Sequence, residues 1–203
     1  MRSPLNIAGE VSLRIHHHLM SRELDLAKIQ TLFSHQQSLA QCRAWLDRHL
    51  PLAERIAVDS NAEAARLAAS HPAAAAVAGE AAADIYDLDI LERCIEDEPG
   101  NTTRFLVIGT EDARPSGDDK TSLLLSCHNE AGSLYGLLEP LAAHGISMTR
   151  IESRPSRRGL WDYVFFVDIE GHREDETVAP ALETLRRTTS LFRVLGSYPK
   201  AVI

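Results

Sequence analysis

Between Gly145 and Ile169 the chain reads GISMTRIESRPSRRGLWDYVFFVDI, two extended stretches across a short basic turn, Pro155 to Gly159. In the second stretch Trp161, Tyr163, Phe165, Val167 and Ile169 alternate with Asp162, Val164, Phe166 and Asp168. The first set is wholly apolar and the second is mixed, the period-two pattern of a strand with one buried face. The first stretch ends in Glu152-Ser153-Arg154-Pro155, where proline removes a ladder donor and stops pairing. Ser122 to Cys127 reads as a further strand, with Leu123, Leu125 and Cys127 on one face. Asn129 is the expected cap of a helix whose Leu134, Leu137, Leu138 and Leu141 fall at i, i+3, i+4 and i+7, and Gly145 its end. Pro140 lies inside that helix, where it costs about 3 kcal/mol or else shortens or kinks it. Val178, Leu182 and Leu185 mark a second helix, and Leu191 to Tyr198 a last strand. The order β-α-β-β-α-β is the ferredoxin-like plan.

The first half has a different pattern. Val11 to Leu19 reads as an opening strand, and Ile29 to Phe33 is a short apolar segment. Ser34 is read as the cap of a helix that carries Leu39, Cys42, Trp45 and Leu46 and runs to His49-Leu50-Pro51. Ile56 to Val58 predicts a strand. Ser60 or Asn61 caps an alanine-rich helix, Ala62 to Ala69, which His71-Pro72 breaks. Ala73 to Ala78 predicts a tightly packed strand, and Gly79-Glu80 opens a helix through Tyr86. This alternation argues for an α/β layer with a largely parallel sheet. Asp97 to Asn101 is a turn, and Thr102 to Ile108 a strand. The charged stretch 110–120, with Pro115 and Gly117, is the expected linker, dividing the chain into domains 1–109 and 121–203.

Composition narrows the function classes. The chain has 203 residues, 44% of them hydrophobic, which suits a folded globular protein. A net charge of -8 argues against nucleic acid or an anionic membrane as partner. There is no membrane-spanning apolar run and no signal-peptide pattern, so a cytoplasmic setting is expected. Cys42, Cys94 and Cys127 are far apart and odd in number, and read as reduced thiols. His16-His17-His18 invites a metal reading. Neighbouring side chains diverge on a strand or a helix, however, and no acid or cysteine sits at ligand spacing, so neither a metal nor a cofactor is expected.

Several motifs carry a family resemblance. Glu152-Ser153-Arg154-Pro155 before an aromatic-rich strand resembles the ESRP motif in the ACT regulatory domain of prephenate dehydratases. Gly132-Ser133-Leu134 resembles that domain's GAL motif, with Ser133 in place of alanine. Asn101 to Phe105 resembles the family's TRF segment. Ser34-His35-Gln36-Gln37 with Gln41-Cys42 resembles its SHPQ…QC signature, Gln36 replacing proline. Gly9-Glu10-Val11 followed by Ile15 to Leu19 resembles the entry to its second catalytic lobe. The resemblance implies the second lobe of a type II periplasmic-binding-protein-like catalytic domain, then an α+β ferredoxin-like ACT domain. It fits bifunctional chorismate mutase–prephenate dehydratases as well as monofunctional enzymes. The family's glycine-rich GPxGTFS-like segment and Glu-Asn-Ser motif should precede Gly9 and are not here. The chain therefore looks truncated, with roughly half of the cleft missing.

The implied reaction converts prephenate to phenylpyruvate with loss of carbon dioxide and water, in L-phenylalanine biosynthesis. By resemblance, Thr103 hydrogen-bonds the leaving hydroxyl, more by orientation than by free proton transfer. Ser34 and Gln41 orient the substrate from one face of the helix that Ser34 starts, and Arg104 pairs with a substrate carboxylate. Allosteric L-phenylalanine is expected at Gly132, Ser133, Leu134, Glu152, Ser153, Arg154 and Pro155, between paired ACT domains. A homodimer or higher homo-oligomer is thus implied. The alternative is a phenylalanine-sensing, dimerising module without catalysis.

Overall fold

The alanine run Ala74–Ala78 is buried along its whole length, and this decides how its surroundings pack. In the computed structural model, which describes residues 4–127, 130–155 and 163–202, the chain forms two compact units. One is Leu13–Thr103, here the inner unit. The other joins the two ends of the chain, Met1–Ser12 and Arg104–Ile203, and is called the outer unit. In chain order the first elements are β1 (Asn6–Arg14), β2 (His18–Ser21), β3 (Thr31–His35), α1 (Gln36–Gln41) and α2 (Arg43–His49). Then come β4 (Glu54–Val58), α3 (Asn61–Ser70), β5 (Ala74–Ala78), α4 (Ala81–Tyr86) and β6 (Asp89–Glu92). The remaining elements are β7 (Thr102–Gly109), β8 (Asp119–Ser126), α5 (Ser133–Ala143), β9 (Met148–Pro155), β10 (Tyr163–Glu170), α6 (Val178–Thr188) and β11 (Leu191–Pro199).

The inner unit is built on a five-stranded sheet of order β4-β3-β5-β2-β6. Ala74, Ala76 and Ala78 face a core with Met20, Phe33 and Ala64, Ala65 and Ala68 of α3. Ala75 and Val77 face the opposite core, with Leu19, Leu32, Cys42, Leu46 and Ile95. A strand buried on both faces reads as a continuous apolar run, and small side chains let α3 lie close to it. Ser60 caps α3, its side chain accepting the Glu63 amide.

Four readings of this half need correction. The sheet is mixed rather than largely parallel: β3 runs parallel to β4 and β5, but β2 is antiparallel to β5 and β6. The run Val11 to Leu19 is two strands, β1 and β2, separated at residues 15–17. The helix expected to follow Ser34 is two short helices that break at Cys42. Ser34 itself lies in β3, fully buried, and the His35 side chain caps α1 by accepting the Gln37 amide. Strand β6 was not foreseen.

The outer unit has the ferredoxin-like order, with an antiparallel sheet β11-β8-β10-β9. Leu123, Leu125, Leu137, Leu141, Val167, Ile169, Val178, Leu182 and Leu185 form its core under α5 and α6. Helix α5 continues through a buried Pro140. Asp119 and Lys120, assigned from sequence to the linker, already belong to β8, and Asp119 is buried, accepting the Ser116 and Gly117 amides. On the other face of the sheet, a bulge between Val194 and Gly196 brings Gly196 against the backbone of β1. A Cβ there would stand 2.0 Å from the Ile7 carbonyl oxygen. Asn129, Trp161 and most of the basic turn lie outside the described residues.

Candidate functional site

The loop after β6 returns along the chain's own earlier segment and borders an open cavity of about 710 Å³ in the inner unit. The Ile95 amide donates to the His17 carbonyl at 2.8 Å, and the Ile15 amide to the Asn101 carbonyl at 2.9 Å. Asp97 fixes the loop to α2, which has no cap of its own. Its carboxylate accepts the Ala44 and Trp45 amides at 2.9 and 3.1 Å, and its own amide donates to the Gln41 carbonyl at 2.7 Å. Gln41, at the end of α1, and Thr102, at the start of β7, both line the cavity, together with Glu96, Asp97, Glu98 and Asn101. The Gln41 amide oxygen is 2.8 Å from His17 Nε2, which sets the orientation of the amide.

The acidic lining is partly spent on the fold. One Glu96 oxygen accepts the His17 amide at 2.9 Å and the other meets His16 Nδ1 at 2.7 Å. Burial works to raise the Glu96 pKa, but the His17 amide and the His16 imidazole outweigh it and hold the group below the usual carboxylate range. Burial lowers the pKa of His18 and pushes the Cys42 thiol up to about 12.

The expected catalytic positions are only partly gathered. Gln41 lines the cavity, whereas Thr103 is an exposed residue of β7 that is not in the lining; its neighbour Thr102, which was not an expected site residue, does line it. Ser34 is held elsewhere. Its hydroxyl donates to the Val77 carbonyl at 2.7 Å and meets Asn61 Oδ1 at 3.1 Å, while Asn61 Nδ2 donates to Ser38. The seven-residue spacing of Ser34 and Gln41 thus does not put them on one helix face, since Ser34 is in a strand.

Arg104 is held by three partners within the outer unit. Its Nε donates to Glu10 at 2.5 Å, Nη1 to Asp168, and Nη2 to the Tyr198 hydroxyl at 2.6 Å. Ser122 bridges Asp168 and Tyr198, and Lys120 donates to Glu10 at 2.8 Å. A guanidinium placed between two carboxylates is poorly available to a substrate carboxylate. Glu10, Ser122, Asp168 and Tyr198 were not singled out from sequence. The one signal was an aspartate on the mixed face of β10.

Of the expected regulatory residues, Gly132 takes φ 87° at the start of α5, a conformation that favours glycine, and Leu134 in its first turn is exposed. Glu152 to Pro155 close the edge strand β9. The Glu152 carboxylate is held by Arg150 at 2.6 Å and Arg154 at 2.7 Å, and the Arg154 guanidinium lies 5.2 Å from the centre of the Phe166 ring.

Comparison with known proteins adds an independent line. Residues 1–113 match the family model for prephenate dehydratase and residues 121–187 that for the ACT domain. The chain is 55% identical over 202 residues to a bifunctional chorismate mutase/prephenate dehydratase of Neisseria gonorrhoeae, covering 98% of this chain and 56% of that protein. It thus spans about half the length of that curated relative. A prephenate dehydratase from Arthrobacter aurescens, solved in complex with L-Phe, superposes with a TM-score of 0.86 at 32% identity. That match covers 98% of this chain and 67% of the other. A protein described as a novel type of quorum quenching acylase superposes with a TM-score of 0.84, also at 32% identity, covering 97% of this chain and 73% of its own.

Proposed function

This chain belongs to the prephenate dehydratase family, with an ACT domain in its second half, and on that basis we propose that it serves the conversion of prephenate to phenylpyruvate under control by L-phenylalanine. The observation that carries the reading is the cavity bordered by Gln41 and Thr102, inside the stretch that matches the dehydratase model. Aromatisation drives loss of carbon dioxide and water, so the protein's task is to hold the dianion and stabilise the departing hydroxide. Thr103 donates the hydrogen bond to that oxygen. Gln41, oriented by His17, positions the substrate. Ser34 acts indirectly, holding Asn61 and the β3–α1 junction. Arg104 serves as a positioning residue next to Thr103 in the chain.

L-Phenylalanine is assigned to the ACT half, with its carboxylate at the α5 amides after Gly132 and its ring near Leu134. The Glu152 carboxylate already has two arginine partners, so strand-end carbonyls near Pro155 are the better acceptors for the ammonium. Edge strand β9, with Met148 and Ile151 exposed, supports pairing of two copies, and a cytoplasmic biosynthetic setting follows from the reading. Fold alone does not fix chemistry, as the acylase-described neighbour illustrates, so the test identifies the product. Prephenate is supplied to the wild-type chain and to Thr103→Ala, phenylpyruvate is quantified, and L-phenylalanine binding is followed by calorimetry. The reading expects phenylpyruvate from the wild type, suppressed by L-phenylalanine, and at least about a 100-fold loss in the variant with binding kept. Unchanged turnover in Thr103→Ala removes that residue from the mechanism. Binding without turnover in the wild type leaves the sensing module instead.

A further inference from the structure

We propose that His16, Cys94 and Glu96 form a binding site for a thiophilic divalent cation of the zinc(II) class in the inner unit. One ligand atom from each residue, an imidazole nitrogen, the thiol sulfur and a carboxylate oxygen, lies within 4.8 Å of the others. Atoms bound to one tetrahedral zinc at its usual bond lengths are roughly 3.3–3.6 Å apart, so closure needs movements of about an ångström. In sequence the histidine run has no partner at ligand spacing. The partners come from about 80 residues later in the chain, at the start of the loop after β6.

The site is built rather than incidental. Segments 16–18 and 94–96 are clasped by three hydrogen bonds: the Ile95 amide to the His17 carbonyl at 2.8 Å, the Cys94 amide to His18 Nδ1 at 3.1 Å, and the His17 amide to Glu96 at 2.9 Å. Cys94 takes φ 53°, a left-handed conformation that a residue with a Cβ keeps only where its surroundings impose it. The Glu96 side chain is 2% exposed and its second oxygen meets the His16 imidazole at 2.7 Å. A buried carboxylate oxygen beside an imidazole nitrogen offers a dication two ligand atoms from opposite segments, and the added positive charge offsets the cost of burying the carboxylate. Cys94 and the 39%-exposed His16 side chain keep the site open to solvent, leaving room for water as a fourth ligand. A sulfur–nitrogen–oxygen set favours zinc over magnesium or calcium, which require oxygen ligands. None of this depends on the dehydratase reading.

Cobalt(II) and zinc(II) on the full, chelator-treated chain are the probes. The expected result is one cobalt per chain with visible bands of tetrahedral intensity and a thiolate charge-transfer band, all displaced by zinc, and a higher Tm with zinc. Cys94→Ser removes the charge-transfer band, and Cys94→Ser and His16→Ala each weaken zinc at least about 100-fold. Cys94 is exposed, so Cys94→Ser leaves the packing intact; His16→Ala takes a partner from the buried Glu96 carboxylate, and circular dichroism checks the fold of both. Cys127→Ser keeps the wild-type spectrum. Octahedral, thiolate-free cobalt, zinc affinity unchanged in Cys94→Ser and His16→Ala, or loss of the band in Cys127→Ser would each overturn the site, leaving adventitious binding only.

Discussion

Replacing Glu10 by alanine tests the polar layer on which the outer unit rests. The Glu10 side chain is 1% exposed and one carboxylate serves three donors: Arg104 at 2.5 Å, Lys120 at 2.8 Å and the Ala201 amide at 3.0 Å. Removing it leaves two cations, each about four-fifths buried, with fewer partners, although Arg104 keeps Asp168. Breaking a buried pair from one side costs about 3–5 kcal/mol, and the residual exposure of both cations places this case near 3. The exposed Arg187–Glu183 pair is the control, with Glu183→Ala expected within about 0.5 kcal/mol. Urea unfolding followed by circular dichroism, at constant slope, is the assay. A double-mutant cycle with Lys120→Met should return a coupling above about 1.5 kcal/mol. The pH dependence has a definite sign. Burial tends to raise the Glu10 pKa, but the Lys120 hydrogen bond, the Ala201 amide and the nearby charges outweigh it and hold it below the ordinary 4.5. Its contribution is therefore complete above about pH 4.5 and is lost as pH falls through the lower, folded value. The gap between wild type and Glu10→Ala should narrow on acidification below that point. A cost under about 1 kcal/mol at neutral pH, or a gap that widens in acid, refutes the reasoning.

Gly196→Ala sets a methyl group 2.0 Å from the Ile7 carbonyl oxygen and should cost at least about 3 kcal/mol in the same assay, because backbone must move; a loss below about 1 would mean that β1 gives way freely. Ser34→Ala removes a buried hydroxyl from Val77 and Asn61 and should cost about 1–2 kcal/mol; a change within experimental error would return Ser34 to a role outside the fold. A thiol reagent on the native, metal-free chain should modify Cys94 first, while Cys42, fully buried and with its pKa pushed to about 12, reacts only on unfolding. Mass spectrometry of the labelled peptides reads the order, and early labelling of Cys42 counts against the packing of α1 and α2 on β5.

Where one face of an element is apolar and the other is not, the chain was readable. Leu123, Leu125, Leu137, Leu141, Val178, Leu182 and Leu185 are core residues of the outer unit, and their spacing alone placed them on strands and helices. Leu134 keeps the helical spacing but is 43% exposed, while Leu137, Pro140 and Leu141 of the same helix are buried. The polarity of the inner sheet was not readable. The Ala74–Ala78 run reports burial on both faces, which parallel and antiparallel neighbours satisfy equally, and β2 arrives from an earlier part of the chain with the opposite direction. Ser34 was misplaced for a related reason: a short hydroxyl satisfies a helix amide and a strand-crossing carbonyl alike, and only the neighbouring Val77 and Asn61 decide.

The polar sites were hidden by distance along the chain rather than by weak patterns. Arg104 meets Glu10, Asp168 and Tyr198, at separations of 94, 64 and 94 residues, and His16 meets Glu96 across 80. Local spacing carries no information about such pairs. Asp168 makes the point physically. In an alternating strand it reads as the solvent side, yet it is 7% exposed, because the sheet's second face is closed by a polar layer rather than by water. A charged residue on the outer register of a strand therefore has two readings, and the choice depends on whether a distant cation can reach it. Arg104 does, and it follows Thr103 directly in the chain. If Thr103 is where the leaving hydroxyl is held, weakening the Asp168 contact should loosen Thr103 before it unfolds either unit. Asp168→Asn is thus expected to lower kcat more than it lowers Tm, and a parallel fall of both would confine Asp168 to stability.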